Sequence, residues 1–290
     1  MNVIERNVKN ITGWNADHFI FIALLTIFFI LMYHEVISWW YIRSSGADSY
    51  YSHAFLIPFI SGFFIWRKKN ELAEIEPEGS FWGLALILFA VLLHVIGTVL
   101  YIFSVSGFSV FFLFLGISLF IYGKKVTKVI LFPLLFTIFM FPLPLAIINK
   151  ISFPMKMLVA ESGALIASLM GIPVFREGFQ ITIPAGELLV GNPCSGLRSL
   201  ISFLALGAVF AYMINISSLK KWVLFLLAVP VALLSNIVRV PILILVSHYW
   251  GLEAAAPESF WHGASGILVF ILGVFLLFSA GKMLETHEKV

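Results

Sequence analysis

The chain has 290 residues, of which 61% are hydrophobic and only 11% charged, with 30 Phe. Soluble proteins carry about 25% charged residues to clothe their surface, so a soluble globular domain, a disordered tail and a nucleic-acid binder are all excluded. The formal net charge of +3 says little about partners, because in a membrane protein the position of the charges matters more than their sum. A single cysteine, Cys194, cannot form an intrachain disulfide or supply a multi-Cys zinc site, so it is either a small apolar packing residue or a reactive group.

A bilayer core of about 30 Å needs roughly 20 apolar helical residues. Runs of that kind lie at 18–40, 53–66, 81–100, 105–122, 127–147, 197–216, 222–249 and 260–281, the second being short. The first follows a polar stretch with Glu5, Arg6, Lys9 and Asp17 and lacks a small-residue cleavage pattern, so it reads as a retained span. Basic residues cluster in alternate connections: Arg67, Lys68 and Lys69; Lys124, Lys125 and Lys128; Lys220 and Lys221. The positive-inside rule makes those connections and both termini cytoplasmic. A further helical stretch, 150–171, carries Lys150, Lys156 and Glu161. Were it a span, Lys220 and Lys221 would face outward, so it is expected as an amphipathic or re-entrant helix on the outer side. The expected architecture is thus an all-α polytopic bundle of about eight spans, one integral membrane domain over residues 1–290. The segments 41–52, 148–196 and 250–259 would lie outside.

Within the long outer segment, Phe179 to Ile183 alternates, Pro184, Ala185 and Gly186 read as a turn, and Glu187 to Val190 returns: a short β-hairpin. It leads to Asn192, Pro193 and Cys194. No internal repeat, Gly-rich phosphate loop or paired-His zinc motif is visible.

The scarce ionisable groups near apolar segments are where function is to be sought. Cys194 and Arg198 lie 26 and 22 residues before Lys220, Arg239 lies 18 after Lys221, and His262 lies 20 before Lys282. At 1.5 Å per helical residue these are roughly 39, 33, 27 and 30 Å above the inner lysines. All four approach the outer boundary, where thiol, guanidinium and imidazole together suit nucleophilic catalysis. A helix N-terminus and a cation one turn away, Arg198, favour the thiolate of Cys194. Arg239 can hold a fixed charge against an oxyanion, and His262 can carry the proton between thiol and leaving amine. Blander readings stand beside these. A lone Cys can simply pack, boundary Arg and His can anchor to headgroups, and His53 or His248 could be the base instead. Asn236, one turn before Arg239, can satisfy backbone freed by Pro241.

The run GNPCSGLRSL, Gly191 to Leu200, resembles the nucleophile motif of the exosortase and archaeosortase family. The segment DSYYSHAFLIPFISGFFIWRKK from Asp48 is similar to the family's early Tyr-Ser-His region, SNIVRVPILI carries its Asn-x-x-Arg, and FWHGASG its late His. Together with the hairpin these cover most of the chain in the family's order. The resemblance implies a membrane-embedded cysteine peptidase with transpeptidase-like activity, with Cys194, Arg239 and His262 as the catalytic set and Arg198, Asn236, Ser195 and His53 in substrate-binding or auxiliary roles. It further implies exported substrates with a C-terminal signal made of a short motif such as Pro-Glu-Pro, a transmembrane helix and a basic cluster. A lipid or glycan would be the acceptor, membrane lipids the surroundings, and no metal, organic cofactor or nucleic acid would be involved. The competing reading is a non-catalytic carrier or scaffold for polysaccharide or lipid export. A carrier should place its ionisable groups near the midplane and show repeat symmetry, and neither feature is present.

Overall fold

A computed structural model describes residues 16–46, 49–191 and 196–286. The chain divides into two compact units, one formed by residues up to Ser45 together with Ala54–Pro142, the other by Gly46–His53 together with the chain from Leu143 onward.

The first unit is built from α1 (Ala16–Ser45), α2 (Ile57–Arg67), α3 (Trp82–Val99) and α4 (Phe103–Val129), closed by a short helix at Leu131–Phe136 and a 3-10 turn at Thr137–Met140. Its tightest contact is the α3–α4 pair, where glycines replace side chains at the crossing. A Cβ on Gly83 would collide with the Phe120 backbone and lie 2.6 Å from the Gly116 carbonyl oxygen. Small residues let backbones approach in this way where lipid offers no hydrophobic drive for association. Several polar groups inside the unit are paired, as an apolar surround favours. The Tyr33 hydroxyl lies 2.7 Å from Ser109 Oγ, and His94 Nδ1 lies 2.6 Å from Ser106 Oγ.

The second unit holds α5 (Leu145–Leu169), a three-stranded antiparallel sheet, and α6 (Leu197–Met213), α7 (Ser218–Trp250) and α8 (Phe260–Thr286). The strands are β1 (Phe175–Glu177), β2 (Gln180–Ile183) and β3 (Gly186–Leu189), in that spatial order. The expected hairpin is β2–β3, pairing Ile183 with Gly186 around Pro184 and Ala185. β1 is an addition: Gly178 at φ +62° turns the chain so that Glu177 pairs with Gln180. The inner face of the sheet buries Ile181 and Ile183 against Val159 and Ala160 of α5, Ile244 of α7 and Ala255. α7 and α8 run antiparallel, since Lys220 Nζ donates to the Leu284 carbonyl at one end while Arg239 meets His262 towards the other.

Large apolar side chains face outward along these helices, for instance Phe28, Phe59, Leu88 and Phe275, the reverse of a water-soluble surface. Among the described residues, five helices are long and apolar enough to cross a membrane: α1 from Ala23, α3, α4, α7 and α8 with the turn before it. There are six if 131–140 and α5 count as one broken span. The expected count of eight is not confirmed, for local reasons. The run at 53–66 is a 3-10 turn, Ser52–Leu56, followed by an 11-residue helix with Pro58 in its first turn. The run at 197–216 ends at Met213 after 17 residues. The run at 127–147 is interrupted by Pro142 and Pro144, which cannot donate backbone bonds, and α5 begins only after them. α5 is the helix expected at 150–171, and it starts five residues earlier.

Candidate active site

The first turn of α8 is fixed by its own sequence. Ser259 occupies the N-cap position, and its Oγ accepts the N–H of His262 at 3.1 Å. The His262 side chain is only 7% exposed, and its Nδ1 lies 3.1 Å from the Ala255 carbonyl oxygen. A carbonyl can only accept, so Nδ1 carries a proton and Nε2 is the nitrogen left to exchange one. The anchoring carbonyl belongs to the 3-10 turn Leu252–Ala255 that joins α7 to α8.

Arg239 reaches this turn from α7. Its Nη2 donates to the His262 carbonyl at 3.1 Å, and its Nε lies 3.5 Å from Ser265 Oγ. Ser265 in turn donates to the same His262 carbonyl at 3.0 Å. Gly266 leaves room for the guanidinium, because a Cβ there would sit 3.3 Å from Nη2 and 3.5 Å from Cζ. A planar cation that never loses its proton is thereby oriented on two sides, which is the requirement for a preorganised anion-stabilising group.

One turn before Arg239, Asn236 is 2% exposed and lies against the start of α6. Gly196 is the N-cap there, in the left-handed conformation at φ +77°, and a Cβ on it would be 2.6 Å from Asn236 Nδ2. Arg198 occupies the first turn of α6 and is half-buried. One turn further, Ser202 Oγ lies 3.3 Å from His53 Nδ1. The His53 ring stacks on Tyr51, whose hydroxyl accepts the Leu143 N–H at 3.0 Å. Burial pushes the His53 imidazole down to about 4 and the Tyr51 phenol up to about 12, the latter partly offset by its bond from Leu143.

Of the residues singled out from sequence, Arg239 and His262 are thus in direct contact, Asn236 touches the turn that opens α6, and His53 is held against α6 by Ser202. Cys194 and Ser195 lie outside the described residues. His248 sits half-buried on the last turn of α7. Sequence reasoning missed Ser259, Ser265 and the Ala255 carbonyl. The Ser at three residues before and after His262 was the available signal: the first spacing is that of a helix N-cap, the second that of a side chain bonding back to a carbonyl one turn earlier.

No curated protein and no solved structure matches the chain. A family model described as a transmembrane exosortase matches residues 39–279, most of the chain, and the chain therefore belongs to the transmembrane exosortase family.

Proposed function

We propose that this protein is a membrane-embedded cysteine peptidase or transpeptidase acting on exported proteins that end in a short sorting motif of the Pro-Glu-Pro type, a transmembrane helix and a basic cluster. The observation that carries this reading is the bonded pair of Arg239 and His262, which joins a fixed cation to an imidazole whose Nδ1 is anchored on a backbone carbonyl. It stands in a multi-pass chain of the exosortase family. The positive-inside orientation puts the pair on the outer side of the plasma membrane, with both termini in the cytoplasm. A substrate helix stopped by its own cytoplasmic basic cluster would present its motif at that level.

In the reaction, Cys194 gives its thiol proton to His262 Nε2 and its sulfur bonds to the scissile carbonyl carbon. Arg239 faces the developing oxyanion. The carbon–nitrogen bond breaks, the leaving amine takes the proton from His262, and a thioester remains on Cys194. An amine or hydroxyl of an envelope lipid or glycan, or water, then gives its proton to His262 and displaces the sulfur. Arg198, Ser195 and Asn236 position the Cys194 loop or the substrate, and no metal or organic cofactor takes part.

The test is processing of a co-expressed substrate carrying the three-part signal. Cys194→Ser should abolish cleavage and accumulate the uncleaved protein in the membrane; cleavage at the wild-type rate would refute the assignment.

A further inference from the structure

We propose that the outer edge of β3 is the docking site for the sorting motif, which binds as an extended fourth strand. This inference rests on the peptidase reading above and specifies how its substrate is held.

The argument starts from backbone parity. The Val190 N–H donates to the Phe179 carbonyl at 3.0 Å, so the bonded pairs of the β2–β3 ladder fall at every second residue from there: Ile181 with Leu188, then Ile183 with Gly186. Glu187 and Leu189 are the intervening residues, and their backbone groups turn away from β2. Among the described residues β3 has no strand on that side, the sheet order being β1, β2, β3. The Leu189 carbonyl is taken by the Gly191 N–H at 2.8 Å. That leaves the N–H and C=O of Glu187 and the N–H of Leu189 facing outward at the spacing an extended peptide backbone matches.

Three further features set this edge apart from an ordinary solvated one. Leu189 is 63% exposed, an apolar side chain beside the edge, while the carboxylate of Glu187 two residues earlier is drawn across the sheet to Gln180 Nε2 at 2.6 Å. Cys194 follows Leu189 by five residues in sequence, a reach of at most about 17 Å. The inner face of the same strand rests on the turn that orients His262: a Cβ on Gly186 would lie 2.5 Å from Leu252 Cδ1, and Leu252 begins the 3-10 turn whose Ala255 carbonyl holds His262 Nδ1. A peptide aligned on β3 is therefore registered against both ends of the catalytic set. The occupant is an extended peptide segment because only alternating backbone groups can pair with such an edge, and side-chain specificity would come from every second residue.

The experiment uses the full chain in membranes with a co-expressed substrate. Leu189→Pro removes the outward N–H at an edge position, where proline is tolerated, while Leu189→Ala keeps it. Loss of one substrate hydrogen bond should make Leu189→Pro about three- to tenfold slower than Leu189→Ala at limiting substrate, since both lose the leucine side chain and only the proline loses the N–H. Because Cys194 is the only cysteine, Cys194→Ser provides a cysteine-free background for Glu187→Cys and Leu189→Cys. Substrates bearing one cysteine at successive motif positions should cross-link to these at alternate positions, since side chains of a paired strand alternate between faces. Wild-type rates for Leu189→Pro, or cross-linking without alternation, would overturn the edge while leaving Cys194-dependent cleavage intact. Continued cleavage by Cys194→Ser would instead remove the peptidase reading and this inference with it.

Discussion

The guanidinium of Arg239 donates to the backbone carbonyl of His262 across 3.1 Å, so the two residues are locked together through the main chain of α8. The imidazole Nδ1 bonds the Ala255 carbonyl at 3.1 Å. Cation and base are therefore held at a fixed offset.

This arrangement makes Arg239→Lys informative. An ammonium keeps the charge but loses the planar fork that bonds His262 and approaches Ser265 together. The expected result is a fall in kcat of about 100-fold with little change in KM, the signature of a lost oxyanion donor. Ser265→Ala, which removes only one support, should cost less than tenfold. Both are read from initial rates of substrate cleavage in membranes.

A second test concerns the turn that opens α6. Gly196→Ala forces an L side chain into φ +77° and sets its Cβ 2.6 Å from Asn236 Nδ2, so both backbone and Asn236 must shift. Processing should fall sharply while the protein still accumulates in the membrane. Gly196→Ala combined with Asn236→Ala should recover part of the thermal stability lost by the single change, because most of the collision is relieved while the backbone strain of about 1–2 kcal/mol remains, but not the activity, since the positioning amide is gone.

Much of this site could be read before any coordinates. Counting residues from Lys221 and back from Lys282 put Arg239 and His262 at nearly one height, and the structure supplies the lateral contact that counting cannot give. The hairpin was legible because Pro184 and Gly186 interrupt an alternating run. Hydropathy failed where chain breaks outweigh composition: Pro142 and Pro144 interrupt an apolar run, and Pro58 shortens α2. The anchors of His262 were illegible for a different reason. A backbone carbonyl such as that of Ala255 carries no residue signature, and serines in an apolar helix are ambiguous until their partners are known.

The α3–α4 crossing predicts a stability effect remote from the site. Gly83→Val would drive two methyl groups into the Phe120 backbone, which cannot move without separating the helices. The variant should lose its folded population in mild detergent, seen as early thermal unfolding and faster proteolysis. Leu88→Val, on an outward-facing side chain of the same helix, should be neutral.

His53 and His262 can be separated by pH. With its pKa held down to about 4 by burial, His53 is neutral throughout the physiological range and poorly matched to general-base work near pH 7. Its folded-state value lies below the ordinary 6.5, so between those limits the unfolded chain binds a proton that the folded one refuses. The stabilising contribution of the neutral ring is complete above about pH 6.5 and is lost as pH falls toward 4. His53→Asn keeps a polar atom near the position of Nδ1 beside Ser202 but cannot titrate. Its Tm should therefore fall less steeply between pH 6.5 and 4 than that of the wild type, while the pH dependence of cleavage near neutrality stays unchanged. His262→Asn should do the opposite, abolishing cleavage at every pH. A shifted cleavage profile in His53→Asn, with activity retained in His262→Asn, would reverse the two assignments.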